Sequence, residues 1–92
     1  MKTIQRSAKF KRDLKKLLKK HYDPDELKTV LELLVNGEPL PNRYHDHDLK
    51  GNWADCRELH VTNKPDWLLL YQIDEANLYL LRTGSHDELF IQ

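Results

Sequence analysis

Residues 53–83 read WADCRELHVTNKPDWLLLYQIDEANLYLLRT. Their apolar and β-branched residues fall into three short runs, Trp53 to Val61, Trp67 to Ile73 and Leu78 to Thr83. Turn-forming residues separate them at Thr62-Asn63-Lys64-Pro65 and at Asp74-Glu75-Ala76-Asn77, which is the pattern of consecutive β-strands. Connections this short join antiparallel neighbours. Leu68, Leu69 and Leu70 are apolar without alternation, so the middle run is expected at the centre of the sheet with both faces covered, whereas the run before it alternates.

Upstream, Thr3 to Ser7 is expected as a first strand. Ser7 then caps a helix whose apolar residues Phe10, Leu14, Leu17 and Leu18 form one stripe. Asp23-Pro24 opens a second helix, with proline at the first helical position, where its missing N–H costs nothing. Its stripe is Leu27, Val30, Leu31 and Leu34, and Asn36-Gly37 supplies a left-handed stop. Residues 38–52, with Pro39, Pro41 and Gly51, show no sustained period and are expected as a loop. Long loops in compact domains tend to carry function. The predicted fold class is α+β, in the order β-α-α-β-β-β, with both helices packed on one face of a small, largely antiparallel sheet.

A chain of 92 residues is expected to form a single domain, 1–92, around one modest core. No run of about 18 apolar residues is present to cross a membrane. The single cysteine, Cys56, leaves packing to hold the fold, as in a reducing compartment, and a cytoplasmic protein is expected. The formal net charge is zero, yet it is segregated. Residues 1–22 carry nine lysines and arginines against Asp13 alone, a basic ridge able to attract phosphates. The same lysines also suit a solvated helix face.

Alternate strand residues share a face, so Glu58 and His60 point together, away from Leu59 and Val61, which are expected to meet the helices. Counting back along the last strand, Arg82 shares a face with Leu80 and is placed on the open side with Glu58 and His60. His86 and Phe90 follow Gly84 in a tail expected to fold over that surface. These are the parts needed to cleave an RNA phosphodiester. Imidazoles transfer protons near neutrality, a guanidinium meets the charge of the phosphorane, and carboxylates such as Glu58 and Asp66 orient a histidine or act as base. Trp67 and Phe90 are candidate platforms for splayed bases. The competing chemistry is a metal site drawn from His45, Asp46, His47, Asp48, His60 and His86. No HExxH, paired cysteines, nucleophile elbow or glycine-rich phosphate loop accompanies it.

The stretches YHDHDLKGNW (44–53), CRELHV (56–61), PDWLLLY (65–71) and RTGSHDELF (82–90), taken together, closely resemble the YafQ toxins of the RelE superfamily. The resemblance extends through the N-terminal strand and the lysine-rich first helix. It implies a RelE-like fold and the toxin of a type II toxin–antitoxin pair: a ribosome-dependent mRNA interferase, needing no cofactor, silenced by a DinJ-like antitoxin. Operator DNA would be met only through the antitoxin complex. The family's site pattern falls on His47, His60, Asp66, Trp67, Arg82, His86 and Phe90, with Glu58 where YafQ has aspartate. On these positions His86 is expected as the general acid and His60 or His47, oriented by Glu58 or Asp66, as base, although the sequence does not fix which imidazole donates and which accepts. Arg82 would meet the phosphorane, Trp67 and Phe90 would position the nucleotide, and Lys15, Lys16, Lys19 and Lys20 would bind ribosomal RNA. The rival from another class is a non-catalytic module that binds an antitoxin or serves as co-repressor.

Overall fold

The computed structural model describes residues 1–90, the side chains of Asn52 and Phe90 excepted. Strand β1 (Thr3–Arg6) leads to helices α1 (Ala8–Lys19) and α2 (Pro24–Val35). Strands β2 (His47–Asp48), β3 (Arg57–Thr62), β4 (Trp67–Ile73) and β5 (Asn77–Gly84) follow, then a short helix α3 (His86–Phe90). The helix signals act as expected. The Ser7 hydroxyl accepts the Phe10 N–H and the Asp23 carboxylate accepts that of Asp25, each satisfying an orphan donor of a first turn. Gly37, at φ 68°, ends α2, and the N–H groups of Gly37 and Glu38 return to the Leu34 and Leu33 carbonyls.

The five strands lie in the order β1-β5-β4-β3-β2, so the apolar run Leu68–Leu70 is indeed central. All pairings are antiparallel except β1 with β5. Both helices cover one face, where Phe10, Leu17, Leu27, Val30 and Leu34 meet Leu59, Val61, Leu69, Tyr71, Leu78 and Leu80. The opposite face carries a smaller cluster, in which Leu68 and Leu70 pack against Leu89 of α3, with Leu49, Trp53 and Leu81 at its margin. Each fully buried leucine contributes about 1.5–3 kcal/mol.

Four expectations need correction. The stretch expected as a loop contains a 3₁₀ turn at Asn42–Tyr44, the two-residue strand β2 and a second 3₁₀ turn at Gly51–Trp53. β3 therefore starts at Arg57 rather than Trp53, because the Cys56 N–H closes that second turn onto the Trp53 carbonyl. The tail after Gly84 is helical. Leu80 does not share a face with Arg82: it packs under the helices, and a bulge at Leu81 resets the alternation. Beyond it Arg82 stands opposite Leu70 and Thr83 opposite Leu69, so Arg82 starts from the open face after all, through an irregularity that simple counting misses.

Candidate active site

The pairing of β2 with β3 sets His47 opposite Glu58. Glu58 is 5% exposed, and its Oε1 lies 3.5 Å from His47 Nε2 and 3.8 Å from His60 Nε2. One buried carboxylate thus faces two imidazoles. His47 Nδ1 donates to the His45 carbonyl at 2.6 Å. A carbonyl only accepts, so His47 holds a proton on Nδ1 and presents Nε2 to Glu58. The His60 ring meets that of His86 edge-on with centroids 5.5 Å apart, and that of His45 at 5.2 Å. Its Nδ1 lies 3.2 Å from Asn63 Oδ1 in the turn that follows.

Asp66 and His86 form the second half of the site. Asp66 accepts the His86 backbone N–H at 2.8 Å and His86 Nδ1 at 2.9 Å. Burial alone would push the Asp66 carboxyl up. The two hydrogen bonds from His86, with the charge of His86 and His60, outweigh it and hold the group below its ordinary value. Asp66 is therefore a carboxylate at neutral pH, fixing a proton of His86 on Nδ1. A capping box sets the ring in place: Glu88 accepts the Ser85 N–H and the Ser85 hydroxyl accepts the Glu88 N–H. Gly84, at φ 156°, admits this turn, since a Cβ there would come within 3.1 Å of Glu88 Oε1. The backbone bond from Ser85 and the charge of Lys20 lower the Glu88 carboxyl against the effect of burial.

Arg82 shares a cross-strand row with Leu70 and Glu58, and its guanidinium is gripped by Asp13 of α1, Nε to Oδ2 at 2.7 Å and Nη2 to Oδ1 at 3.1 Å. Asp13 Oδ2 also accepts the Thr83 N–H, where β1 has ended and the edge of β5 would otherwise be open. The bond to Asp13 raises the Arg82 pKa.

Trp67 is not a stacking platform. It is 1% exposed, donates from Nε1 to Thr83 Oγ1 at 2.7 Å and takes the Tyr22 ring edge-on at 5.3 Å. The Phe90 side chain lies outside the described residues. Lys15, Lys16 and Lys19 are exposed along α1 and Lys20 just past its end, and Lys20 reaches Glu88 at 3.4 Å, so one end of the basic ridge adjoins the turn that carries His86.

The rival metal set divides. Arg57 binds both Asp46 and Asp48, and the Tyr71 hydroxyl, which burial pushes upward, donates to Asp46. Those two carboxylates anchor the loop onto β3 and β4. Glu58, His60 and His86, however, each offer a ligand atom within 4.8 Å of the others, a nitrogen and oxygen set suited to zinc or copper. Residue reading alone gave His45 only as a metal-ligand candidate and missed Asp13 and the Ser85–Glu88 box. Only the last has a sequence signal, Ser-x-x-Glu.

A capped helical layer covers one face of a five-stranded sheet, and imidazoles and carboxylates are grouped on the other. Residues 2–91 match the model of the YafQ family, described as the bacterial toxin of a type II toxin–antitoxin system, and the chain belongs to that family. It is 41% identical to the mRNA interferase toxin YafQ of Escherichia coli K12, across 95% of this chain and 94% of that one. Among solved structures, the YafQ of the E. coli DinJ–YafQ complex superposes with a TM-score of 0.86, at 40% identity over 97% of both chains. A metal-bound toxin from Helicobacter pylori gives a TM-score of 0.89, at 48% identity over 98% of this chain and 100% of that one.

Proposed function

We propose that this toxin is an mRNA endoribonuclease that acts on translated messages and is silenced by a DinJ-like antitoxin. The observation that carries the proposal is the grouping of three imidazoles on one sheet face: Glu58 stands between His47 and His60, the His60 ring meets that of His86, and Asp66 holds His86. The 2′-oxygen attacks phosphorus, the bond from phosphorus to the 5′-oxygen breaks, and a 2′,3′-cyclic phosphate and a 5′-hydroxyl result. The His60 and His47 pair facing Glu58 takes the 2′-OH proton. His86, oriented by Asp66, gives one to the leaving oxygen. Arg82 offers its remaining donors to the phosphorane. The lysines of α1 hold ribosomal RNA, and operator DNA is reached only with the antitoxin. No helix among the described residues is long and apolar enough to cross a membrane, and action in the cytoplasm, where messages are translated, follows from the substrate.

Chemistry without a metal is part of the proposal. The test is to map 5′ ends on a translated message with purified toxin in EDTA. Cuts that persist in EDTA and vanish with His86→Ala fit the scheme. Cuts abolished by EDTA and restored by zinc or copper would turn Glu58, His60 and His86 into ligands, the reading to which the metal-bound relative lends weight. A protein that neutralises the antitoxin yet never cuts RNA would be the non-catalytic module instead.

A further inference from the structure

Asp46 and Asp48 flank His47, and a single guanidinium takes both. Arg57 binds Asp46 through Nη2 at 2.7 Å and Nε at 3.3 Å, and Asp48 through Nη1 at 2.5 Å. The Tyr71 hydroxyl donates to Asp46 as well, and Tyr71 stands opposite Arg57 in the pairing of β3 with β4. These groups lie behind the histidines. Tyr71 is buried in the core beneath the helices, whereas His47 stands opposite Glu58, whose carboxylate faces the imidazoles on the other side of the sheet.

Alternation explains the division. Successive strand residues point to opposite faces, so drawing Asp46 and Asp48 to the Arg57 side obliges the residue between them to project to the other. Strand β2 has only two residues, and a polar strand that short specifies its own register weakly. The chain enters it through His45 at φ 48°, a left-handed conformation that a residue with a side chain keeps only where its surroundings fix it. Tyr44 is anchored in the core on one side of His45, and Asp46 is held by Arg57 and Tyr71 on the other. From that conformation the His45 carbonyl accepts from His47 Nδ1 at 2.6 Å, and the opposite nitrogen of the ring meets Glu58 Oε1 at 3.5 Å.

We propose that Asp46, Arg57 and Tyr71 are positioning residues for the reaction, a clamp that works from behind the sheet to fix the His47 ring against Glu58 without touching substrate. Proton transfer requires its partners within hydrogen-bond reach, and a misplacement of roughly 1 Å can cost about a hundredfold in rate. A base carried on so short a strand meets that requirement only if its support is rigid. The proposal rests on the ribonuclease reading, in which His47 shares the role of base.

Tyr71→Phe deletes one hydroxyl, and Arg57→Lys keeps the charge but loses the fork that grips both carboxylates. The first measurement is the nitrogen shifts of the His47 ring in isotope-labelled protein, taken by NMR at a pH where the ring is neutral. Native toxin is expected to hold the proton on Nδ1. In both variants the shifts should move toward those of a free histidine side chain, with the proton shared between the two nitrogens, while backbone signals of β5 stay in place and report an intact fold. The second is single-turnover cleavage of a short RNA. Tyr71→Phe should lower the maximal rate about tenfold with KM unchanged, yet by no more than about twofold in a His47→Ala background, because a clamp with no ring to hold has nothing left to lose. Ring nitrogens unmoved in both variants, a released ring with the native rate, or the same loss of rate with and without His47 would each overturn the clamp. Toxin that never cuts RNA loses the nuclease reading instead, and the ring nitrogens still decide whether Asp46, Arg57 and Tyr71 hold His47.

Discussion

Replacing Asp66 by asparagine keeps the shape of the side chain and removes one acceptor. In the native site Oδ2 accepts the His86 backbone N–H at 2.8 Å and Oδ1 accepts Nδ1 at 2.9 Å. Asparagine has one oxygen for these two donors, and its NH2 group confronts the other. The conflict is relieved only if the imidazole gives up its Nδ1 proton and carries one on Nε2 instead, or swings away. Either outcome disables a proton donor held in place by a negative charge. General acid–base catalysis by one positioned group contributes about 10²–10⁴ in rate, so the barrier should rise by ~3–5 kcal/mol at 1.36 kcal/mol per tenfold. The fold should barely notice. The His86 and Asp66 side chains are 50% and 41% exposed, and a pair so open to water adds at most about 1 kcal/mol to stability. Single-turnover cleavage of a short RNA, beside thermal unfolding of the same preparation, reads both quantities. Asp66→Asn protein that cuts within about threefold of the native rate would refute the assignment of His86 as an acid positioned by Asp66.

Trp67→Phe should cost about 2 kcal/mol in urea unfolding, from lost ring volume and the lost bond to Thr83. It should leave the affinity for RNA unchanged, and a weakened Kd with full stability would return Trp67 to the substrate. Asp13→Ala strips the partner from Arg82 Nε and from the Thr83 N–H, and a loss of about 2 kcal/mol is expected; an unshifted unfolding midpoint would show that water replaces the carboxylate. Asp66, Asp74 and Glu88 all have carboxyls held below their ordinary values of 3.8, 3.8 and 4.5. A depressed folded-state value means that the unfolded chain binds protons first, so the stability these groups lend is complete above the ordinary carboxylate range and drains as pH falls through the lowered values. Urea midpoints measured downward from pH 5 should therefore decline, and less steeply in Asp66→Asn protein. A flat profile would contradict the lowering.

Ser7, Asp23-Pro24 and Asn36-Gly37 made both helices readable because each signal acts through its own neighbours within one turn. The central strand was readable because burial on both faces leaves no polar residue among Leu68–Leu70. Strand β2 was not. Two residues are too short to show a period, and its existence depends on the partner supplied by β3. The bulge at Leu81 likewise has no local mark, since it arises where Leu80 and Arg82 must face opposite layers. The catalytic candidates on β3 followed from alternation. Asp13 and His45 did not, because their roles depend on a β5 edge and a left-handed turn that exist only in three dimensions. Trp67 was misjudged because a tryptophan that opens a strand looks the same in sequence whether a helix layer covers it or water does.

The pairing Thr3↔Asn77 joins positions more than seventy residues apart. Until that long closure is made, β5 lacks one of its two neighbours, and chains dominated by such distant contacts assemble slowly and late. Arg82 belongs to β5 and His86 follows it directly, so the reactive surface matures only with the whole architecture.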